Sequence, residues 1–233
     1  MQQERERRKN RRRNIGLSAA AAVLLLLPAI SFAQTGELYG AAAPDDAAFV
    51  RVFNNHRSGD TFELWIGSTE YVGVEQDTLT PYRPVSPGVH SIFNGGASAE
   101  LIAQDGDYYT VVLLDDGPLV VKDPALTRAD RAQILLYNLL PGQSAGLSTA
   151  DREVEVIPAV SPRRSGGVVV NPAEAEFAVV VGESAAADSA DSVDSAVEIG
   201  DIGLERGQSY AVFVHSRKNE AAAVVHRAAV LAE

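Results

Sequence analysis

The stretch GDYYTVVLL at residues 106–114 returns 101 residues later as GQSYAVFVH at 207–215. Each copy enters through a glycine turn and continues as a run rich in β-branched and aromatic side chains, which reads as a buried strand. A second pair of copies lies upstream: FVRVFN at 49–54 is matched by QILLYN at 133–138, offset by 84 residues. Strand signals fill the rest of the first half as AAFVRVFN (47–54), FELWIG (62–67), YVGVE (71–75), GVHSIFNG (88–95), SAELIAQ (98–104), YYTVVLL (108–114) and PLVVK (118–122). Asn94-Gly95-Gly96, Asp105-Gly106 and Asp116-Gly117 stand between them and supply the positive φ angles of tight turns. The repeat therefore predicts an all-β chain of two tandem antiparallel β-sandwich domains, 34–124 and 125–233. KDPALTRAD (122–130) is expected to link them.

The two offsets differ by 17 residues, so the second copy carries an insertion between its anchors. ESAAADSADSVDSA (183–196) has the right size and no apolar periodicity, and it reads as a solvated acidic loop.

Residues 1–33 differ from all that follows. A basic stretch, the apolar IGLSAAAAVLLLL and the small residues of PAISFA have the three parts of a cleavable signal peptide, with cleavage expected after Ala33. The apolar run is short for a membrane span, so no stable insertion is expected after cleavage. Removing seven Arg or Lys together with Glu4 and Glu6 leaves 13 basic and 29 acidic residues, a formal charge of −16. Such a charge repels polyanions, and nucleic acid is excluded as a partner. With no cysteine in the chain, the exported fold rests on hydrophobic cores rather than disulfides.

LYGAAAPDDAAFVRVFN (38–54), DYYTVVLL (107–114) followed by PLVVKDP (118–124), and LERGQSYAVFVHS (204–216) resemble, in order, the landmarks of the AlgF family of periplasmic alginate O-acetylation proteins. The resemblance implies a periplasmic, non-catalytic adaptor that contacts periplasmic or membrane-anchored alginate acetyltransferases, with polymannuronate as a further candidate partner. The alternative is a generic exported carbohydrate-binding sandwich.

The residues themselves offer no catalytic motif. SGDTF (58–62) has Thr61 where an esterase of the Gly-Asp-Ser type needs its nucleophile, and no aspartate sits three positions before His56, His90, His215 or His226. Those histidines have no paired metal-ligand spacing, and Asp188, Asp191 and Asp194 lack the two-residue spacing and turn glycine of a calcium loop. No metal or other cofactor is expected.

Tyr39, Arg51 and Trp65 stand out as binding candidates. Trp65 falls opposite Phe62, Leu64 and Ile66, so it is expected on the outer face of its strand, as a sugar-stacking platform or under a covering loop or domain. Tyr39, Tyr71 and Tyr82 are the aromatics available to extend such a platform. Arg51 shares a strand face with Phe49 and Phe53, opposite Ala48, Val50 and Val52, and is replaced by Leu135 in the second copy. A charge that the repeat does without is expected to face a carboxylate or a partner's acidic group, the alternative being a cross-strand ion pair with a residue such as Glu63. Asn54 and Asn138 occupy matching strand ends and are expected to form turns.

Overall fold

The computed structural model describes residues 46–59, 61–94, 96–183 and 195–229, so the expected signal peptide, Tyr39 and the acidic residues 184–194 fall outside it. All regular structure in the described residues is β-strand. The first half holds β1 (Ala48–Asn54), β2 (Phe62–Ile66), β3 (Thr69–Val74), β4 (Arg83–Val85), β5 (Gly88–Asn94), β6 (Ala97–Ala103), β7 (Tyr108–Leu114) and β8 (Gly117–Asp123). The second holds β9 (Ala132–Asn138), β10 (Gln143–Thr149), β11 (Glu155–Val160), β12 (Arg164–Val170), β13 (Ala173–Glu183), β14 (Ser195–Leu204), β15 (Gln208–Arg217) and β16 (Glu220–Ala229).

The seven strands expected in the first half are all present. The sequence reading missed β4, a three-residue edge strand whose Pro84 makes it look like loop. The reading of both sandwiches as antiparallel is corrected at one place in each. β1 lies between β4 and β7 and pairs with β7 in parallel, and β9 pairs with β15 in parallel in the same way. Two strands distant in sequence can meet in either direction, and a hydrophobic pattern of period two does not distinguish them.

Sheet order repeats completely: β4-β1-β7-β8 in the first half becomes β12-β9-β15-β16 in the second. The opposing layer is β11-β10-β13-β14 in the second half and the two hairpins β2-β3 and β5-β6 in the first, with β2 running beside β5. The insertion is not wholly loop, because β13 and β14 reach 11 and 10 residues where β5 and β6 each have 7.

Side-chain devices repeat with the strands. Asn54 donates to the Val74 carbonyl and accepts from the His56 amide; Asn138 donates to the Val160 carbonyl and accepts from the Leu140 amide. Both asparagines are thus the turn formers expected. Tyr109 closes the β6–β7 crossing by donating to the Ile102 carbonyl and accepting from the Gln104 amide, and Tyr210 does the same with Gly203 and Glu205.

One apolar core fills each half: Val50, Val52, Leu64, Ile66, Ile92, Leu101 and Val111 in the first, Ile134, Leu136, Leu147, Phe177, Val179, Val212 and Val214 in the second. A third joins the halves. Phe53, Val112 and Leu114 meet Leu135, Tyr137, Leu139, Ala211 and Phe213, so the β1-containing sheet packs on the β9-containing sheet. Phe53 stacks on Phe213 with centroids 3.7 Å apart, and Phe213 stacks in turn on Tyr137 at 4.5 Å. β1 and β9 are therefore covered on both faces, which is why they read as nearly continuous apolar runs.

Ion pairs at the rim of this interface follow the repeat with their signs exchanged. Asp77 and Arg163 occupy matching loops: both have positive φ (58° and 59°), and their amides donate to the carbonyls of Asn54 and Asn138. Asp116, in the β7–β8 turn, and Arg217, the last residue of β15 before the β15–β16 turn, lie 101 residues apart. Arg217 pairs with Asp77, and Arg163 pairs with Asp116. Two first halves meeting in the same way would set Asp77 against Asp116, and two second halves would set Arg163 against Arg217. Only unlike halves give two attractive contacts.

Asp77→Arg, which places at this left-handed position the residue type that the second copy already tolerates there, should lower stability in urea unfolding by about 0.5–1 kcal/mol, the range of partly exposed pairs. Adding Arg217→Asp should recover most of that loss; a double variant no more stable than the single one would show that the pairing carries no specificity.

Candidate functional site

Arg51 is not at the surface. The sequence reading placed Phe49, Arg51 and Phe53 correctly on one face of β1, but that face is the one covered by the second half, and Arg51 is fully buried. Its Nε donates to Thr110 Oγ1 at 2.8 Å, one Nη donates to the Tyr137 hydroxyl at 2.8 Å, and the guanidinium lies 4.4 Å from the centroid of the Tyr82 ring. Asp123, the last residue of β8, balances the charge at 3.8 Å. That carboxylate accepts hydroxyl hydrogen bonds from Thr110 (2.5 Å), Tyr137 (2.6 Å) and Tyr82 (2.8 Å). Burial works against the guanidinium's charge, but Tyr137, Tyr82 and Asp123 hold its pKa above the ordinary value. Burial also pushes the phenols of Tyr82 and Tyr137 well up, so both remain donors. The expectation that Arg51 serves a partner is corrected: its partners are Thr110, Asp123 and the Tyr137 of the other half.

Tyr71 and Tyr82 are buried too, with hydroxyls committed to the Val50 carbonyl and to Asp123, so neither extends an aromatic platform. Tyr39 lies outside the described residues.

Histidines serve the interface as well. His215 Nε2 is 3.8 Å from Asp77 across the two halves, and His226 lies edge-on to Phe53 and Phe213. Burial lowers both imidazoles below their ordinary 6.5; for His215, Asp77 opposes that shift and Arg217 adds to it.

A serine, a histidine and an aspartate do meet at His56. Its Nδ1 is 2.9 Å from Ser58 Oγ and 3.5 Å from Asp115. Both contacts fall on the same ring nitrogen, whereas a proton relay needs the nucleophile and the carboxylate on opposite nitrogens. Asp115 is also held by Arg57, through its amide and its guanidinium.

Trp65 is where the sequence placed it, outward and 57% exposed. What sequence reasoning missed is the company it keeps. Period-two alternation sends Trp65 of β2, Val72 of β3, Val89 and Phe93 of β5 and Ile102 of β6 to the same outer side of the layer formed by the two hairpins. They are five of the seven large apolar residues exposed among the described residues, and Phe93 is 70% exposed. Val89 and Ile102 are direct cross-strand partners. The other charged residues pointing to this side are Glu63, Glu70 and Glu100, so the face is apolar and acidic with no lysine or arginine among its outward positions.

The second copy again serves as an internal control. Trp65 corresponds to Ser148, since Leu64 and Leu147 take matching partners in Tyr71 and Ile157; Val89 and Ile102 correspond to the paired Glu174 and Gly203. The fold holds without apolar residues at these positions. On the second half the outer side of β10, β11 and β13 instead forms a groove of about 350 Å³ lined by Ser144, Ser148, Arg152 and Glu155 among others.

Residues 22–210 match the family described as Alginate O-acetyl transferase AlgF. The chain belongs to the AlgF family. Similar AlgF proteins include the alginate biosynthesis protein AlgF of Pseudomonas aeruginosa, 29% identical over 157 residues, with 67% of this chain and 71% of that protein covered. The counterpart from Azotobacter vinelandii is 27% identical over 192 residues, covering 82% of each chain. A solved structure of the C-terminal domain of AlgF from P. aeruginosa aligns with 42% of this chain and 98% of its own, at 23% identity and a TM-score of 0.33. The AlgF match takes in both the Arg51–Asp123 network and the apolar outer face.

Replacing Arg51 by Leu, the residue of the second copy, leaves Asp123 buried without its cation and should cost about 3–5 kcal/mol in urea unfolding. Arg51→Leu combined with Asp123→Leu should recover a large part of this, which a comparison of the three midpoints checks.

Stability should also fall as pH drops. With both histidine pKa values lowered by folding, the unfolded chain binds more protons once pH falls below about 6.5, so stability present above that value is lost progressively on acidification. Unfolding midpoints between pH 8 and 5 should show this slope, and His215→Asn with His226→Asn should flatten it.

Proposed function

We propose that this chain is a non-catalytic periplasmic accessory protein of alginate O-acetylation, exported by its N-terminal segment and working through contact with the acetyltransferases. Family membership supplies the process, since the curated relatives are named for alginate biosynthesis and the family for alginate O-acetyl transfer. The observation that carries the non-catalytic reading is at His56. Ser58 and Asp115 compete for one imidazole nitrogen, so the group that would activate the serine is not oriented by the aspartate. Four other buried polar groups, Arg51, Asp123, Tyr82 and Tyr137, are committed to one another in the network between the halves.

Purified chain given an acetylated chromogenic ester, or acetylated polymannuronate, should show no turnover above buffer, and Ser58→Ala should change nothing. Turnover that Ser58→Ala or His56→Ala abolishes would overturn the non-catalytic reading, and recovery of the chain in the cytoplasmic fraction would overturn the exported one.

A further inference from the structure

The outer face bearing Trp65 and Phe93 has a chemistry that selects among partners. A polymannuronate chain carries a carboxylate on every sugar, and a site for it needs cations placed to meet them. Here the outward charged positions are Glu63, Glu70 and Glu100, while the nearest edge cation, Arg83, donates to the Glu70 carbonyl and lies against the Tyr71 ring. Exposed aromatics alone would suit a sugar ring, but the carboxylates beside them repel this one. The same combination suits a protein surface: large apolar groups, two of them aromatics of the kind that anchor interfaces, interspersed with charges of a single sign, Glu70 opposite Trp65 and Glu100 between the Val89–Ile102 and Phe93–Ser98 pairs. Five large apolar side chains exposed on one face call for a cover. The internal control removes the structural explanation, because the second sandwich keeps its fold with Ser148, Glu174 and Gly203 where the first has Trp65, Val89 and Ile102.

Building on the proposed adaptor role, we propose that the outer face of β2, β3, β5 and β6 docks an acetyltransferase through an apolar patch on that partner flanked by lysine or arginine. Trp65 and Phe93 act as the anchors, and the glutamates beside them set orientation and reject the polyanionic product. The second half then stiffens the platform from behind, since the sheet carrying β1 is clamped between the docking layer and the second sandwich.

The test uses the full mature chain and a purified alginate acetyltransferase from the same organism. Trp65→Ser combined with Phe93→Ser should weaken binding by about 30-fold or more, the effect of losing an interface anchor, while leaving the unfolding midpoint within error. Glu63→Lys combined with Glu100→Lys should weaken binding most at low salt and progressively less as salt is added, because both glutamates are solvent-exposed charges. Polymannuronate is run in parallel and should not be retained by the wild-type chain. If the wild-type chain binds the acetyltransferase and the serine variant binds it equally well, the face is not the dock and this inference falls while the adaptor role stands. If the wild-type chain binds no acetyltransferase at all, the adaptor role falls with it. Two further outcomes assign the face elsewhere and overturn the inference: polymer retention lost in the serine variant, or a wild-type dimer that the serine variant turns into a monomer without change in acetyltransferase affinity.

Discussion

The pairing of Arg51 with Asp123 is the constraint around which the two sandwiches are arranged. A guanidinium and a carboxylate taken out of water each cost several kcal/mol, and that cost is offset only when every lone pair and proton finds a partner in good geometry. The first half supplies most of the set in Thr110 and Tyr82, but Tyr137 belongs to the second half and touches both ions. The charges of the first half therefore gain the Tyr137 hydroxyl, which serves both ions, only when the second half is docked. Apolar stacking of Phe53, Phe213 and Tyr137 supplies attraction beside it, and the polar network fixes the register in which that attraction is used.

Duplication explains both the stability and the asymmetry of the molecule. Two copies of one sandwich present similar sheets to each other, which by itself would let like halves of different chains associate. The rim opposes this. Asp77 and Asp116 are acidic where their counterparts Arg163 and Arg217 are basic, so the intrachain arrangement is the one that brings opposite charges together at both ends. Each pair is exposed enough to add little to stability alone; its effect lies in the difference between right and wrong pairings.

Where the copies agree, the residue serves the fold, and where they differ, another explanation is needed. Asn54 and Asn138, or Tyr109 and Tyr210, make the same bonds in both halves. Arg51 and Leu135 differ within the interface: Arg51 joins the buried network with Tyr137, and Leu135 joins the apolar cluster shared by the halves. Trp65 and Ser148 also differ, but Trp65 stands exposed rather than packed against the other half. The inner sheets diverged to fit each other, whereas the outer sheet of the first half became apolar toward the outside.

Much of this was legible in the sequence. Alternation in FVRVFN and FELWI assigned each side chain to the correct side of its strand, turn chemistry placed most of the strands, and the two offsets revealed the repeat. The landmarks around residues 38–54 and 204–216 pointed to the AlgF family. What alternation reports is that a strand has two faces, not what lies against them. For Trp65 the unseen neighbour was solvent, and the outward reading held. For Arg51 it was a sheet 86 residues away in the chain, which turned an apparent surface cation into the centre of the interface. The parallel pairing of β1 with β7 and the meeting of Asp77 with Arg217, 140 residues apart, were decided in the same way. Local pattern fixes conformation because it depends on neighbouring residues. Which charge is buried and which apolar face stays exposed depends on contacts that exist only once distant strands have been brought together.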